Sequence, residues 1–185
     1  MTEQADLFTG ARRVFWGYFF LLLDFNLNFN SDFTIPLLPN FIGWIFLWRG
    51  VDALSSARPS LELLKPFCTA LGVSALTQFV PSLDGLIPGW LNLFISILTL
   101  YTHFQLLTDL AALAEEMLDD GELAKRLRTS RTLFLLGQTA MYCYDLVLQA
   151  MGLVVLLLAV TFCVSVLLLF QLWGFSRDLE TQQSP

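Results

Sequence analysis

The sequence predicts an all-α fold: a polytopic membrane helix bundle of about six helices in three hairpins, some spans short, both termini cytoplasmic. Three observations predict it. Only 14% of the 185 residues are charged while 56% are hydrophobic, against about a quarter charged in soluble domains. So few charges cannot cover a surface in water, and the natural solvent is a bilayer. Apolar runs recur along the whole chain, at approximately 13–29, 37–55, 63–80, 89–109, 131–149 and 151–174. With six spans, all ten basic residues fall on one side, as the positive-inside rule requires of a protein with both ends in the cytoplasm. A four-span map that drops the third and fifth runs scatters them over both faces. The expectation is one integral membrane domain over 1–185.

The first run follows Arg12 and Arg13 and resembles a signal peptide over Val14–Leu23. A small-residue cleavage pattern does not follow it; Asp24-Phe25-Asn26 stands there instead, so it reads as an uncleaved anchor. From Asp24 to Asn30 polar and apolar residues alternate strictly, which is the period of a strand. An isolated strand would leave backbone groups unpaired in lipid. About 16 helical residues from the arginines span ~24 Å and end near Asn28, so the stretch is expected to be an outer-face helix exit and turn.

The second and fourth helices are expected to open on a shared pattern, Asp32 to Pro36 and Asp84 to Pro88, each with a Gly-Trp pair beyond it at Gly43-Trp44 and Gly89-Trp90. Proline is tolerated in a first helical turn and an acid there complements the helix dipole. The pattern is therefore a helix-start device or the trace of a duplicated hairpin. The third run carries Gly72, Ser74, Thr77 and Gln78, and packs inside the bundle or enters the membrane only partly.

Leu110, Leu113, Met117 and Leu118 keep helical spacing beyond the fourth run, so that helix continues into the cytoplasm and 110–131 forms a cytoplasmic helical hairpin tip. Asp119-Asp120-Gly121 breaks it, and Asp120 can cap a new helix from Glu122. Lys125, Arg126 and Arg128 make the tip a docking site for a partner or for anionic headgroups, or a solvated turn whose acidic neighbours cancel the field. The sixth run is the cleanest, with no charge from Gly152 to Trp173 and a Trp173, Phe175, Arg177 border.

A net charge of −6 excludes nucleic acid as a partner, which calls for a clustered basic face. Cys68, Cys143 and Cys163 lie in apolar stretches without CxxC spacing and read as buried thiols. No motif for a metal, a cofactor or nucleophilic catalysis stands in the chain. Intramembrane ionisable groups are costly and mark function. Asp24, Asn26, Asn28 and Asp145 near the outer face are the candidate polar or ion site, with Asp32 and Asp84 in the outer loops; oxygen ligands of this kind suit hard cations. The competing reading is interfacial capping by side chains that reach water. His103, the one histidine, is a candidate proton relay or a hydrogen-bonded bundle residue.

The stretch DFNLNFNSDFTIPLLPNFIGWIF, residues 24–46, resembles small uncharacterised multi-spanning proteins of bacterial plasma membranes. The resemblance implies a multi-pass helical protein of the plasma membrane and no particular activity. Two functions remain: an interaction or structural membrane subunit without catalytic chemistry, or a small transporter or channel subunit with an outward-facing acidic vestibule linked to cations or protons. The expected partners are the lipid bilayer and other membrane subunits or a homo-oligomer.

Overall fold

A computed structural model describes residues 2–22, 26–30, 33–36, 39–79, 88–142 and 151–181. In chain order they form α1 (Thr2–Leu22), β1 (Asn26–Asn30), β2 (Phe33–Pro36), α2 (Asn40–Leu54), a 3-10 turn (Pro59–Leu64), α3 (Lys65–Phe79), α4 (Gly89–Leu118), α5 (Gly121–Tyr142) and α6 (Met151–Thr181). They divide into two compact units, Met1–Leu98 and Thr99–Pro185.

In the first unit α2 packs on both α1 and α3. The α1–α2 contact is set by glycine. Gly10 and Gly17 stand seven apart on α1, and Gly43 and Gly50 seven apart on α2. A Cβ on Gly17 would lie 3.0 Å from the Gly43 carbonyl oxygen and 2.6 Å from Leu47 Cδ2. One on Gly50 would lie 3.0 Å from the Gly10 carbonyl oxygen and 2.6 Å from Val14 Cγ2. Gly17 thus faces Gly43 and Gly10 faces Gly50, an antiparallel register in which the backbones nearly touch, as small residues permit. Leu7, Ala11, Val14 and Tyr18 of α1, with Leu47, Val51 and Leu54 of α2, fill the seam between the glycines and are buried. Phe20 stacks on Phe46 at a centroid distance of 5.7 Å.

The seam explains why α1 begins earlier and ends sooner than the apolar run suggests. Residues ahead of Arg12 are helical because Leu7, Gly10 and Ala11 pack on the last turns of α2. Beyond Leu22 the helix is replaced by strand. The expected helix exit near Asn28 is corrected: Asn26–Asn30 pairs antiparallel with Phe33–Pro36, with Asn26 opposite Pro36, Leu27 opposite Ile35 and Asn28 opposite Thr34. An isolated strand would leave its backbone groups unpaired, but β2 supplies the partners.

Pro36 therefore closes β2, and α2 opens at Asn40 behind Pro39, whose carbonyl accepts from Ile42 N–H at 3.0 Å. Pro88 does precede α4 directly, accepting from Leu91 N–H at 2.9 Å. Trp44 is buried and Trp90 is 71% exposed, so the two Gly-Trp pairs occupy different environments. α3 follows the 3-10 turn, and Lys65 at its start pairs with Asp52 at 2.7 Å and Glu62 at 3.6 Å.

In the second unit α5 runs unbroken from Gly121 to Tyr142, joining the expected tip helix to the fifth run. Asp119 ends α4 with φ 50°, a left-handed conformation aspartate tolerates. Asp120 Oδ1 accepts from Leu123 N–H at 2.9 Å, the cap the sequence implied. α5 packs on α6; Ala124, Leu127, Ser130, Phe134 and Gly137 of α5 and Leu168, Leu172, Phe175 and Leu179 of α6 are buried. A Cβ on Gly137 would lie 2.6 Å from Thr161 Oγ1, which fixes their approach. Cys68 is buried but Cys163 is exposed, a correction to its expected burial: it lies on the α6 face away from the α5 contact.

Among the described residues, α4 and residues Val155–Thr181 of α6 are long and apolar enough to cross a membrane, at mean hydropathy 1.3 and 2.7. Their outer surfaces are apolar: Trp90, Leu93, Phe94 and Ile97 of α4 and Val155, Phe162 and Phe170 of α6 are each more than half exposed. α2 and α3, at 15 residues each, reach only ~22 Å.

Two outcomes follow for stability in detergent. Gly17→Ala should lower the unfolding free energy by about 1–3 kcal/mol through overpacking, whereas Gly174→Ala, which meets nothing within 4 Å, should leave it unchanged or raise it. Asp120→Ala should cost about 1 kcal/mol by uncapping α5, read as a lower midpoint in denaturant titration.

Candidate functional site

Asp24, Asp32, Asp84 and Asp145, the carboxylates expected near the outer face, lie outside the described residues. Asn26 and Asn28 lie in β1, opposite Pro36 and Thr34. The described polar groups that merit attention gather elsewhere, on α4 and α5 of the second unit.

From Thr102 to Ala114, α4 buries most of its circumference: Thr102, His103, Leu106, Leu107, Asp109, Leu110, Ala111, Leu113 and Ala114. A helix buried nearly all round is a core element, and here the core includes three polar side chains. Thr102 is fully buried, His103 is 5% exposed and Asp109 2%. The His103 ring stands edge-on to Phe134 of α5, centroids 5.5 Å apart and planes at 86°. Asp109 Oδ2 accepts from Gln105 Nε2 at 3.0 Å, one turn earlier on the same helix. Ser130 of α5 is also buried.

Arg131 of α5 crosses to α4 beside this layer. It donates from Nη1 to Thr108 Oγ1 at 2.6 Å, and its guanidinium lies 4.5 Å from the centre of the Phe104 ring. A cation over an aromatic face keeps part of its electrostatic stabilisation where water is scarce. Nε of Arg131 is buried without a hydrogen-bond partner, so the guanidinium is held through one edge and one face. Three residues earlier, one turn nearer the tip, Arg128 pairs with Glu115. The α4–α5 hairpin is thus tied by Arg128–Glu115 at its tip, by Arg131–Thr108 next, and by His103–Phe134 deepest.

Chemically, this is a buried set of one imidazole, one carboxylate and the two hydroxyls of Thr102 and Ser130, with the half-buried Gln105 amide on the carboxylate. His103 and Asp109 are six residues apart on one straight helix, about 9 Å along its axis, too far for a direct hydrogen bond. A proton passing between them needs an intermediate group. Among the described residues no group of three or more His, Cys, Asp or Glu side chains is placed to hold a metal ion.

The sequence marks His103 as a candidate; Asp109, six residues on, shares no i+3 or i+4 face with it and is no candidate there, nor is Arg131. The signal for Asp109 was present: a lone acid inside the helical apolar run FQLLTDLAALA has no exposed side to take. Arg131 was read only as a topology marker, because a cation reaching back to a ring 27 positions earlier leaves no local pattern. The chain matches no family model, no curated protein and no solved structure.

If the ring contact holds Arg131, a double-mutant cycle of Arg131→Met and Phe104→Leu should give a coupling energy of about 0.5–1 kcal/mol. Additive effects in denaturant unfolding would show that the ring contributes nothing.

Proposed function

We propose that the chain is a multi-pass integral protein of the plasma membrane that acts as an interaction or structural subunit, without catalytic chemistry. The observation that carries this reading is the grouping of positive charge at one end of each unit. In the first unit Gly10 faces Gly50, so Arg12, Arg13 and Arg49 fall within about a turn of one another along the α1–α2 seam. Arg58 and Lys65 occupy the corner beyond α2 at that same end. In the second unit the Gly137–Thr161 approach puts Arg177 near the start of α5, with Lys125, Arg126 and Arg128. Arg177 lies 5.8 Å from the Trp173 ring centre, an aromatic and basic pair of the kind found at membrane interfaces.

In this reading α4 and α6 cross the bilayer fully. α2, α3 and the part of α1 beyond Arg13 are embedded elements shorter than the ~30 Å hydrocarbon layer. Both termini are cytoplasmic. The exposed aromatic and aliphatic side chains of α4 and α6 meet lipid or another subunit, because a patch of that size in water marks an interaction surface.

The buried His103, Thr102 and Asp109 favour a second reading, a small proton- or cation-linked transporter or channel subunit. Polar groups at membrane depth are retained for use more often than for stability. In that case Asp24 and Asp145 would supply the outer acidic vestibule.

A reporter fused at Asp84 should be external and one at Gly121 cytoplasmic; the reverse pattern would overturn the span map, and release of the protein from membranes by alkaline carbonate would overturn the membrane reading itself. For the second reading, vesicles containing the protein should show pH-dependent cation flux that falls at least tenfold in His103→Phe and in Asp24→Asn plus Asp145→Asn. Flux at the level of empty vesicles leaves the subunit reading standing alone.

A further inference from the structure

In the first unit an apolar groove of ≈350 Å³ runs between α2 and α3, within the ~300–1,000 Å³ of small-molecule sites. The α2 wall is Phe41, Trp44, Ile45 and Trp48, the i, i+3, i+4, i+7 face of one helix. The α3 wall is formed by Thr69, Gly72, Val73 and Leu76, with Cys68 behind them. Gly72 keeps the floor open, since a Cβ there would already lie 3.3 Å from Trp44 Cβ. Ile45, Trp48, Val73 and Leu76 are between 39% and 57% exposed, so the groove opens outward rather than into the α1–α2 seam.

We propose that this groove holds one acyl chain of a phospholipid, with the lipid phosphate at Arg49. The lining suits hydrocarbon. It is almost entirely apolar, its one hydroxyl, Thr69, already donates to the Lys65 carbonyl at 2.9 Å, and an extended peptide would bring backbone N–H and C=O groups that need partners. A hydrocarbon chain needs none. The charge at the mouth points the same way. Arg49 directly follows Trp48, the last lining residue of α2, and is exposed. The two acids of that corner, Asp52 and Glu62, are both engaged by Lys65. Arg49 takes part in none of the described ion pairs, which leaves it as the cation facing whatever leaves the groove at this end. An apolar slot ending at a cation matches a chain ending in a phosphate.

The inference rests on the membrane reading but is tested separately from it. The full chain is extracted from membranes in mild detergent and its bound phospholipid measured by native mass spectrometry. The wild type should retain about one phospholipid per chain. Val73→Trp, which fills the groove from an exposed wall, and Gly72→Leu, which fills it from the floor, should each lower retention at least tenfold with the helical circular dichroism unchanged. Arg49→Gln should lower it severalfold. A diazirine-bearing acyl chain on phosphatidylglycerol should label peptides covering 41–48 and 68–76 in the wild type and not in Val73→Trp. Retention or labelling unchanged in folded Val73→Trp overturns the proposal, as does a dimer that the filled variants break apart, since the groove would then hold a second copy. A chain found in the soluble fraction refutes the membrane reading itself, and that is seen before any lipid is measured.

Discussion

Backbone hydrogen bonds closed within the chain shape the described elements, as they must in any chain whose exposed tryptophan, phenylalanine and leucine face lipid. Helices close them alone, and after Leu22, where the helix pattern gives way, Asn26–Asn30 pairs with Phe33–Pro36. Helix ends follow the same rule with local donors and acceptors: the Asp120 carboxylate at the start of α5 and the Pro39 and Pro88 carbonyls at α2 and α4. Side-chain hydroxyls do likewise, with Thr69, Ser96, Thr108, Thr129, Thr132 and Ser165 each donating to the carbonyl four residues earlier. These six hydroxyls are satisfied within their own helices, whereas the buried Thr161 Oγ1 of α6 has no partner.

Once hydrogen bonding is internal, helices attract one another mainly by packing, and small residues decide where they approach. The two units use this differently. α1 and α2 meet at two reciprocal glycine pairs with leucine and valine between them. α5 and α6 approach at the single Gly137–Thr161 point and are otherwise held by larger side chains such as Phe134 and Phe175. Polar side chains are correspondingly sparse in the first seam and present in the second unit, where His103, Asp109 and Arg131 are accommodated by α4 and α5.

The helical class and the positions of α2, α3, α4 and α6 are legible in the sequence, because hydrophobic runs and turn residues are local signals, whereas α1 and α5 each begin about ten residues before the apolar runs at 13 and 131. α3 falls at Lys65–Phe79 against an expected 63–80, and the Asp120 cap is where Asp-Asp-Gly implied. The β-hairpin was half legible. The alternation from Asp24 to Asn30 is a strand signal, but the partner strand has only four residues and ends in proline, so no comparable pattern announced it. The glycine seam could have been found: glycines at 10 and 17 and at 43 and 50 share a seven-residue spacing in neighbouring helices. Of the four, only Gly43 enters the sequence reading, as part of a Gly-Trp pair. Arg131 over Phe104 was beyond reach, since it depends on how two helices sit side by side. The acidic candidates Asp24, Asp32, Asp84 and Asp145 lie outside the described residues, and the buried layer on α4 and α5 carries the site discussion in their place.

The reciprocal glycine pairs also bear on timing. Close backbone contact exists only when Gly10 meets Gly50 and Gly17 meets Gly43 together. A slip of one to six residues loses both pairs, and a slip of seven keeps one. The α1–α2 hairpin is therefore closer to a latch than to a sliding joint. All of its parts lie before residue 55, and chains emerge from the ribosome at roughly 5–20 residues per second. The latch has seconds in which to close before α4 is complete, so the first unit can be settled when the long helices arrive.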